Sequence, residues 1–155
     1  MLYLDSSALI KHYIREKGSD EVNARIASET AVSAMPFTSV LAYAEVHATI
    51  ARKAREKLLS GQELKRLWNE VDSDWAFGVS AIALDAGVLV SIREIVSRFP
   101  LRGSDAVHLA SALWLRDTLQ ASKTSAINLT FATSDLRLAD AALRRNLEVF
   151  NPQTV

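Results

Sequence analysis

Apolar positions along the chain fall into two kinds of run. Short blocks of a few residues alternate with longer stretches in which apolar residues recur every three or four positions. The first block, Leu2-Tyr3-Leu4-Asp5, predicts a buried strand over 2–5 opening directly into a helix over 6–16. Ser6 and Ser7 are good capping types for that helix. Gly18-Ser19-Asp20 ends it and starts a second helix, to about residue 29. An apolar run at 31–35 predicts a strand before Pro36, after which Thr38-Ser39 caps a long helix over about 40–57. Ser60-Gly61 breaks the pattern, and 62–75 continues as an amphipathic helix. A strand is predicted at 77–82, followed by a helix over 84–98 that stops at Phe99-Pro100. Ser104 caps a helix over 105–119, and 120–126 is polar and loop-like. A strand at 129–133, a helix at 135–145 and a last strand at 147–150 complete the reading. Strands separated by helices predict a parallel sheet covered on both faces, with ligands bound beyond the carboxyl ends of the strands.

Composition narrows the class. With 155 residues, 49% apolar and 23% charged, the chain fits one globular domain spanning 1–155 and excludes a disordered or collagen-like polymer. Cysteine is absent, which excludes thiolate metal sites and fits a reducing compartment. No apolar run approaches about 18 residues, and Met1-Leu2-Tyr3-Leu4-Asp5 lacks the look of a signal peptide, so a cytoplasmic protein without a membrane partner is expected. The 18 basic residues balance the 18 acidic ones, so any affinity for nucleic acid must come from local patches.

Most acids sit among bases and read as solvated helix faces. Asp5, Glu45, Asp105 and Asp135 do not. Asp5 ends an apolar strand, and Asp135 follows another. Asp105 is the only formal charge between Gly103 and Leu115, and Glu45 the only one in 40–51, where its helical neighbours are Leu41, Ala42, Ala48 and Thr49. A buried carboxylate without a partner costs several kcal/mol, roughly, and no adjacent Lys or Arg supplies one. If the acids converge, a hard divalent cation relieves their repulsion, and the chemistry is metal-assisted hydrolysis of a phosphate ester. Convergence also predicts a raised pKa for at least one of them. Asp5, Asp105 and Asp135 each have a plainer reading as helix-start residues, whereas Glu45, in mid-helix, does not.

Four segments carry a family resemblance. They are Tyr3-Leu4-Asp5-Ser6-Ser7-Ala8-Leu9-Ile10-Lys11, Ala44-Glu45-Val46, Leu101-Arg102-Gly103-Ser104-Asp105-Ala106-Val107-His108-Leu109-Ala110, and Phe131-Ala132-Thr133-Ser134-Asp135. In this order and spacing the chain resembles PIN-domain ribonucleases, and more closely the VapC-type toxins of toxin–antitoxin pairs. The resemblance implies an α/β/α sandwich with a mostly parallel sheet of four to five short strands. It implies an endoribonuclease dependent on Mg2+ or Mn2+, an RNA substrate, a cognate antitoxin and a homodimer. Asp5, Glu45, Asp105 and Asp135 fall on the family's catalytic metal positions, and Ser7 and Ser134 where a hydroxyl often orients them.

Other residues refine this picture. Lys11, Arg102 and Arg137 lie near the acids in sequence and are candidate phosphate contacts. The basic run over 52–57 reads first as a helix end suited to the dipole, and second as a contact for RNA or an antitoxin. His108 reads as a satisfied, partly buried histidine. A haloacid-dehalogenase-type phosphatase would need an Asp where Ser7 stands. A non-toxin or inactive PIN-like binding module is the remaining alternative.

Overall fold

The computed structural model describes residues 1–122 and 128–154. Its elements in chain order are β1 (Leu2–Leu4), α1 (Ser6–Tyr13), α2 (Ser19–Thr30), β2 (Phe37–Ser39), α3 (Leu41–Arg55), α4 (Gly61–Phe77), β3 (Ser80–Ile82), α5 (Ala86–Arg98), α6 (Gly103–Ala121), β4 (Thr130–Ala132), α7 (Leu136–Arg144) and β5 (Glu148–Phe150). The five strands form one sheet in the order β3-β2-β1-β4-β5, and every pairing is parallel. This is the expected α/β/α arrangement.

β1 is the central strand, and its alternation divides the core. Leu2 and Leu4 point to one face, where they pack with α1, α3 and α4 through Leu9, Val46, Ile50 and Val71. Tyr3 points to the other, among Val88 and Ile95 of α5, Leu109 of α6 and Phe131 of β4. The Tyr3 and Phe131 rings stack with centroids 5.3 Å apart. Because β1 is buried on both faces, its apolar run is continuous until the chain leaves the sheet at Asp5. From β1 the chain crosses to β2 on one side, and β4 later joins on the other. The crevice beyond the carboxyl ends of β1 and β4 is therefore the topological switch point.

The strand expected at 31–35 lies beyond Pro36 instead. Ala34 N–H closes back onto Glu29 C=O, and Ser33 turns through φ 57°, so this segment terminates α2. Pro36 lacks an N–H, and the ladder begins with the next residue. Thr38 and Ser39 are consequently strand residues rather than helix caps. Thr38 is fully buried and its hydroxyl donates to Leu4 C=O at 2.7 Å, tying β2 to β1. The strand expected from 77 begins at Ser80, because α4 runs on through Phe77. Of the polar stretch 120–126, Gln120 and Ala121 belong to α6, and 123–127 lie outside the described residues. Among the described residues no helix is long and apolar enough to cross a membrane.

Gly18 joins α1 to α2 with φ 92°, in the left-handed region. A β-carbon there would lie 2.7 Å from Pro152 O. Both the backbone angle and the close approach of the C-terminal segment require glycine. Gly18→Ala is expected to destabilise the protein by about 1–3 kcal/mol, read as a lower urea midpoint at unchanged slope. An unchanged midpoint would show that this junction relaxes freely.

Candidate active site

Asp5 is the first residue beyond β1, and the fold turns it into the N-cap of α1. Its Oδ1 accepts from Ala8 N–H at 2.8 Å, so the capping reading holds for one oxygen. The rest of its environment goes further. Thr133 Oγ1 donates to Oδ2 at 2.6 Å, and Ser7 Oγ lies 2.8 Å from Oδ1 and 3.0 Å from Oδ2. The residue is only 3% exposed, and among the described residues no Lys or Arg bonds it. Burial pushes its carboxyl pKa up, opposed by the nearby His108 charge and by bonds from Thr133, Ala8 and Ser7.

Asp135 is the N-cap of α7, just beyond β4. Its Oδ1 accepts from Arg137 N–H at 2.8 Å and Leu138 N–H at 3.0 Å, which leaves Oδ2 outside the cap. Thr133 joins it to Asp5, because Asp135 N–H donates to Thr133 Oγ1 at 3.1 Å while that hydroxyl donates to Asp5. Ser134 N–H donates to Ser7 Oγ at 2.8 Å, a second bond between the ends of β1 and β4. The Ser134 hydroxyl itself is buried without a partner. The Ser7 hydroxyl thus braces the acid, whereas Ser134 contributes its backbone.

Asp105 lies in the first turn of α6, and its Oδ2 accepts from Arg102 N–H at 3.2 Å. Its carboxyl pKa is raised by burial and then by the charge of Asp135, against the Arg102 N–H bond. The two acids are thus close enough to repel.

Glu45 is reached through a different network. His108, one turn after Asp105, is 2% exposed. Its Nδ1 lies 3.1 Å from the Tyr3 hydroxyl and its Nε2 lies 2.9 Å from Glu45 Oε2. Ser6 Oγ donates to the same Glu45 oxygen and lies 3.0 Å from Nε2. Burial raises the Glu45 pKa, but the bonds from His108 and Ser6, with Ser104, outweigh it, and the net shift is downward. His108 is therefore a satisfied buried histidine, and it positions an acid. Nothing in the sequence pattern marks Ser6 or Thr133 for these roles. Their only signal was a hydroxyl within two residues of a site acid.

The four acids thus divide into Asp5 with Asp135 through Thr133, Asp105 against Asp135, and Glu45 on His108, whose charge is felt at both Asp5 and Asp105. Among the described residues no three acids or histidines gather as a metal-binding group. The donor chemistry still fits a hard cation. The candidate ligands are all carboxylate oxygens, and the most buried of them has no basic partner.

The phosphate-contact candidates separate. Arg102 and Arg137 are exposed beside Asp105 and Asp135. Lys11 is corrected: it is 2% exposed, and its Nζ is held by Glu16 Oε1 at 2.6 Å, so its charge is already neutralised. It lies on the wall of a cleft of about 370 Å³, whose lining also includes Ser6, Ser7, Glu45, Arg52 and Lys53.

The sequence profile of the PIN domain family matches residues 2–143. Ribonuclease VapC45 of Mycobacterium tuberculosis strain CDC 1551 is 35% identical over 117 residues, covering 76% of this chain and 78% of that protein. Ribonuclease VapC49 of strain H37Rv matches equally. FitAcB from Neisseria gonorrhoeae superposes with a TM-score of 0.71 at 20% identity, over 100% of both chains. VapBC2 from Rickettsia felis, solved with a DNA fragment from its promoter, gives a TM-score of 0.63 at 14% identity, covering 97% of this chain and 98% of its own. At those identities the two structures support the fold.

The raised pKa of Asp105 fixes the sign of a stability measurement. An acid with a higher pKa folded than unfolded binds more protons in the native state, so stability falls as pH rises from the ordinary carboxylate range of about 4. In chelator at pH 7, Asp105→Asn is expected to be at least as stable as wild type, with its advantage shrinking as pH falls. A loss that grows with pH would mean that the charge serves the helix start instead.

Proposed function

The chain belongs to the PIN domain family, among the VapC-type ribonucleases, and on that premise we propose a divalent-cation-dependent endoribonuclease. It acts as one domain that hydrolyses RNA phosphodiester bonds, with Mg2+ or Mn2+ held by Asp5, Glu45, Asp105 and Asp135. The observation that carries this reading is Asp5, a carboxylate buried at the end of the central strand among hydroxyls and one N–H, with no Lys or Arg bonded to it among the described residues. A buried carboxylate with a raised pKa at the edge of a cleft is the kind of group that functional sites place.

When bound, the cation supplies compensation for the carboxylates, Lewis-acid stabilisation of the phosphoryl group and activation of water. The chain supplies position and protonation state. Thr133 and Ser7 fix both oxygens of Asp5, and Thr133 holds the backbone of Asp135 in register with it. Ser6 and His108 hold Glu45 in place and in its ionised form. Asp135 Oδ2 is left outside the cap bonds of its helix and remains free to serve as a ligand. Arg102 and Arg137, exposed beside the acids, are suited to phosphate contacts. Ser6 is already committed to Glu45, so no side-chain nucleophile enters the reading. The toxin role brings with it a cognate antitoxin and a homodimer, both from the family.

Purified protein is expected to cut a structured RNA pool in Mg2+ or Mn2+, leaving 5′ phosphate and 3′ hydroxyl ends. Asp5→Asn is expected to slow cleavage at least about 100-fold, beyond the effect usual for residues behind the metal ligands. Undiminished cleavage in EDTA would overturn the metal-dependent reading. Co-expression with the short neighbouring gene, if that gene encodes the antitoxin, is expected to give a stable complex of reduced nuclease activity. Separate elution at micromolar concentration would remove that gene product as the partner.

A further inference from the structure

One face of α3 runs from the acidic site to a pair of cations. Glu45, Thr49, Arg52 and Lys53 stand at i, i+4, i+7 and i+8, and all four line the same cleft of about 370 Å³. The other wall is Ser6, Ser7 and Lys11 of α1, with Glu16, Ser134 and Gln153. Lys11 is spent on Glu16. Arg52 and Lys53 form no ion pair with a carboxylate among the described residues, although α3 and α4 carry several acids. Favour from the helix dipole accounts for cations in this last turn, but it does not require them to open onto the cleft that holds Glu45. Eight residues of helix separate Glu45 from Lys53, about 12 Å, which is the length of a few nucleotides.

We propose that Arg52 and Lys53 form a phosphate subsite that holds the RNA backbone a few nucleotides from the bond cut beside Glu45. The proposal rests on the ribonuclease reading above and adds to it the direction in which the strand leaves the site, along α3. It replaces Lys11 as the cation on this side. Arg102, at the N-cap of α6, and Arg137 of α7 are further exposed cations beside Asp105 and Asp135. The chain has no net charge to offer a polyanion, and such local cations are what binding requires.

The test measures binding of single-stranded RNA to the Asp105→Asn protein, which leaves the RNA intact, by fluorescence anisotropy across a KCl series. Adding Arg52→Gln and Lys53→Gln is expected to weaken binding about tenfold or more at low salt. It should also flatten the plot of log Kobs against log[KCl] by about 0.7 per lost contact, the value for single strands. The charge-preserving pair Arg52→Lys and Lys53→Arg should keep most of the original slope, which separates contact from misfolding. In otherwise wild-type protein, Arg52→Gln and Lys53→Gln should raise KM for RNA more than they lower kcat. If wild type cuts RNA and the Gln pair leaves both slope and KM unchanged, the subsite is wrong while the ribonuclease reading stands. If the pair instead abolishes antitoxin binding and spares the RNA slope, the face serves the protein partner, and the proposal also fails. If wild type neither cuts nor binds RNA, both readings fall together.

Discussion

A carboxylate buried at the end of the central strand is the constraint around which this molecule is organised. β1 is covered on both faces, and Asp5 leaves it at 3% exposure. Burial keeps water from solvating the charge, and among the described residues no Lys or Arg replaces it. Two hydroxyls and one helix N-terminus are turned to the task instead. Ala8 N–H and Ser7 come from the first turn of α1, and Thr133 from the end of β4. These bonds lower the cost of burial without removing it, since the pKa is still pushed upward. The residual cost is what a bound cation would relieve. The two strands must therefore end in register, and the paired positions Leu4 and Ala132 place Asp5 and Thr133 side by side.

The second network shows how the core reaches the surface of the site. Tyr3 lies inside the sheet's covered face, stacked on Phe131, and its hydroxyl meets His108. His108 carries that orientation to Glu45, which is half-buried on α3. A side chain of the apolar core thus fixes the rotamer of an acid on the opposite side of β1. Burial raises the pKa of Tyr3 well above its ordinary value, so the hydroxyl keeps its proton and remains a donor. The two networks impose opposite conditions on their acids. Asp5 and Asp105 are left under strain, while Glu45 is held comfortably ionised.

The cations follow a logic of burial as well. Lys11 looked well placed in sequence, six residues from Asp5, yet the amphipathic turn of α1 carries it inward to Glu16. Arg52 and Lys53 are far from Asp5 in sequence and close to Glu45 only because a helix returns to the same face every three to four residues. Proximity along the chain is thus a poor guide to which cation faces the site.

The order of elements and the parallel sheet were legible in the sequence, where four acids in apolar company also stand out. Each rests on short-range physics: a buried strand is a continuous apolar run, and an unpaired acid in such company is conspicuous before any fold is known. The boundary errors have the same origin. The apolar run at 31–35 looks like strand, but Pro36 and the turn at Ser33 decide that the ladder starts later. Only the tertiary structure decided which groups hold the acids. Thr133 meets Asp5 across 128 positions and His108 meets Glu45 across 63. Sequence periodicity reports which face a residue occupies, whereas these partnerships depend on the relative shift of strands and helices that pack from distant parts of the chain. Lys11 is the clearest case. Its type and position were read correctly, but only the packed structure showed that its charge was already taken.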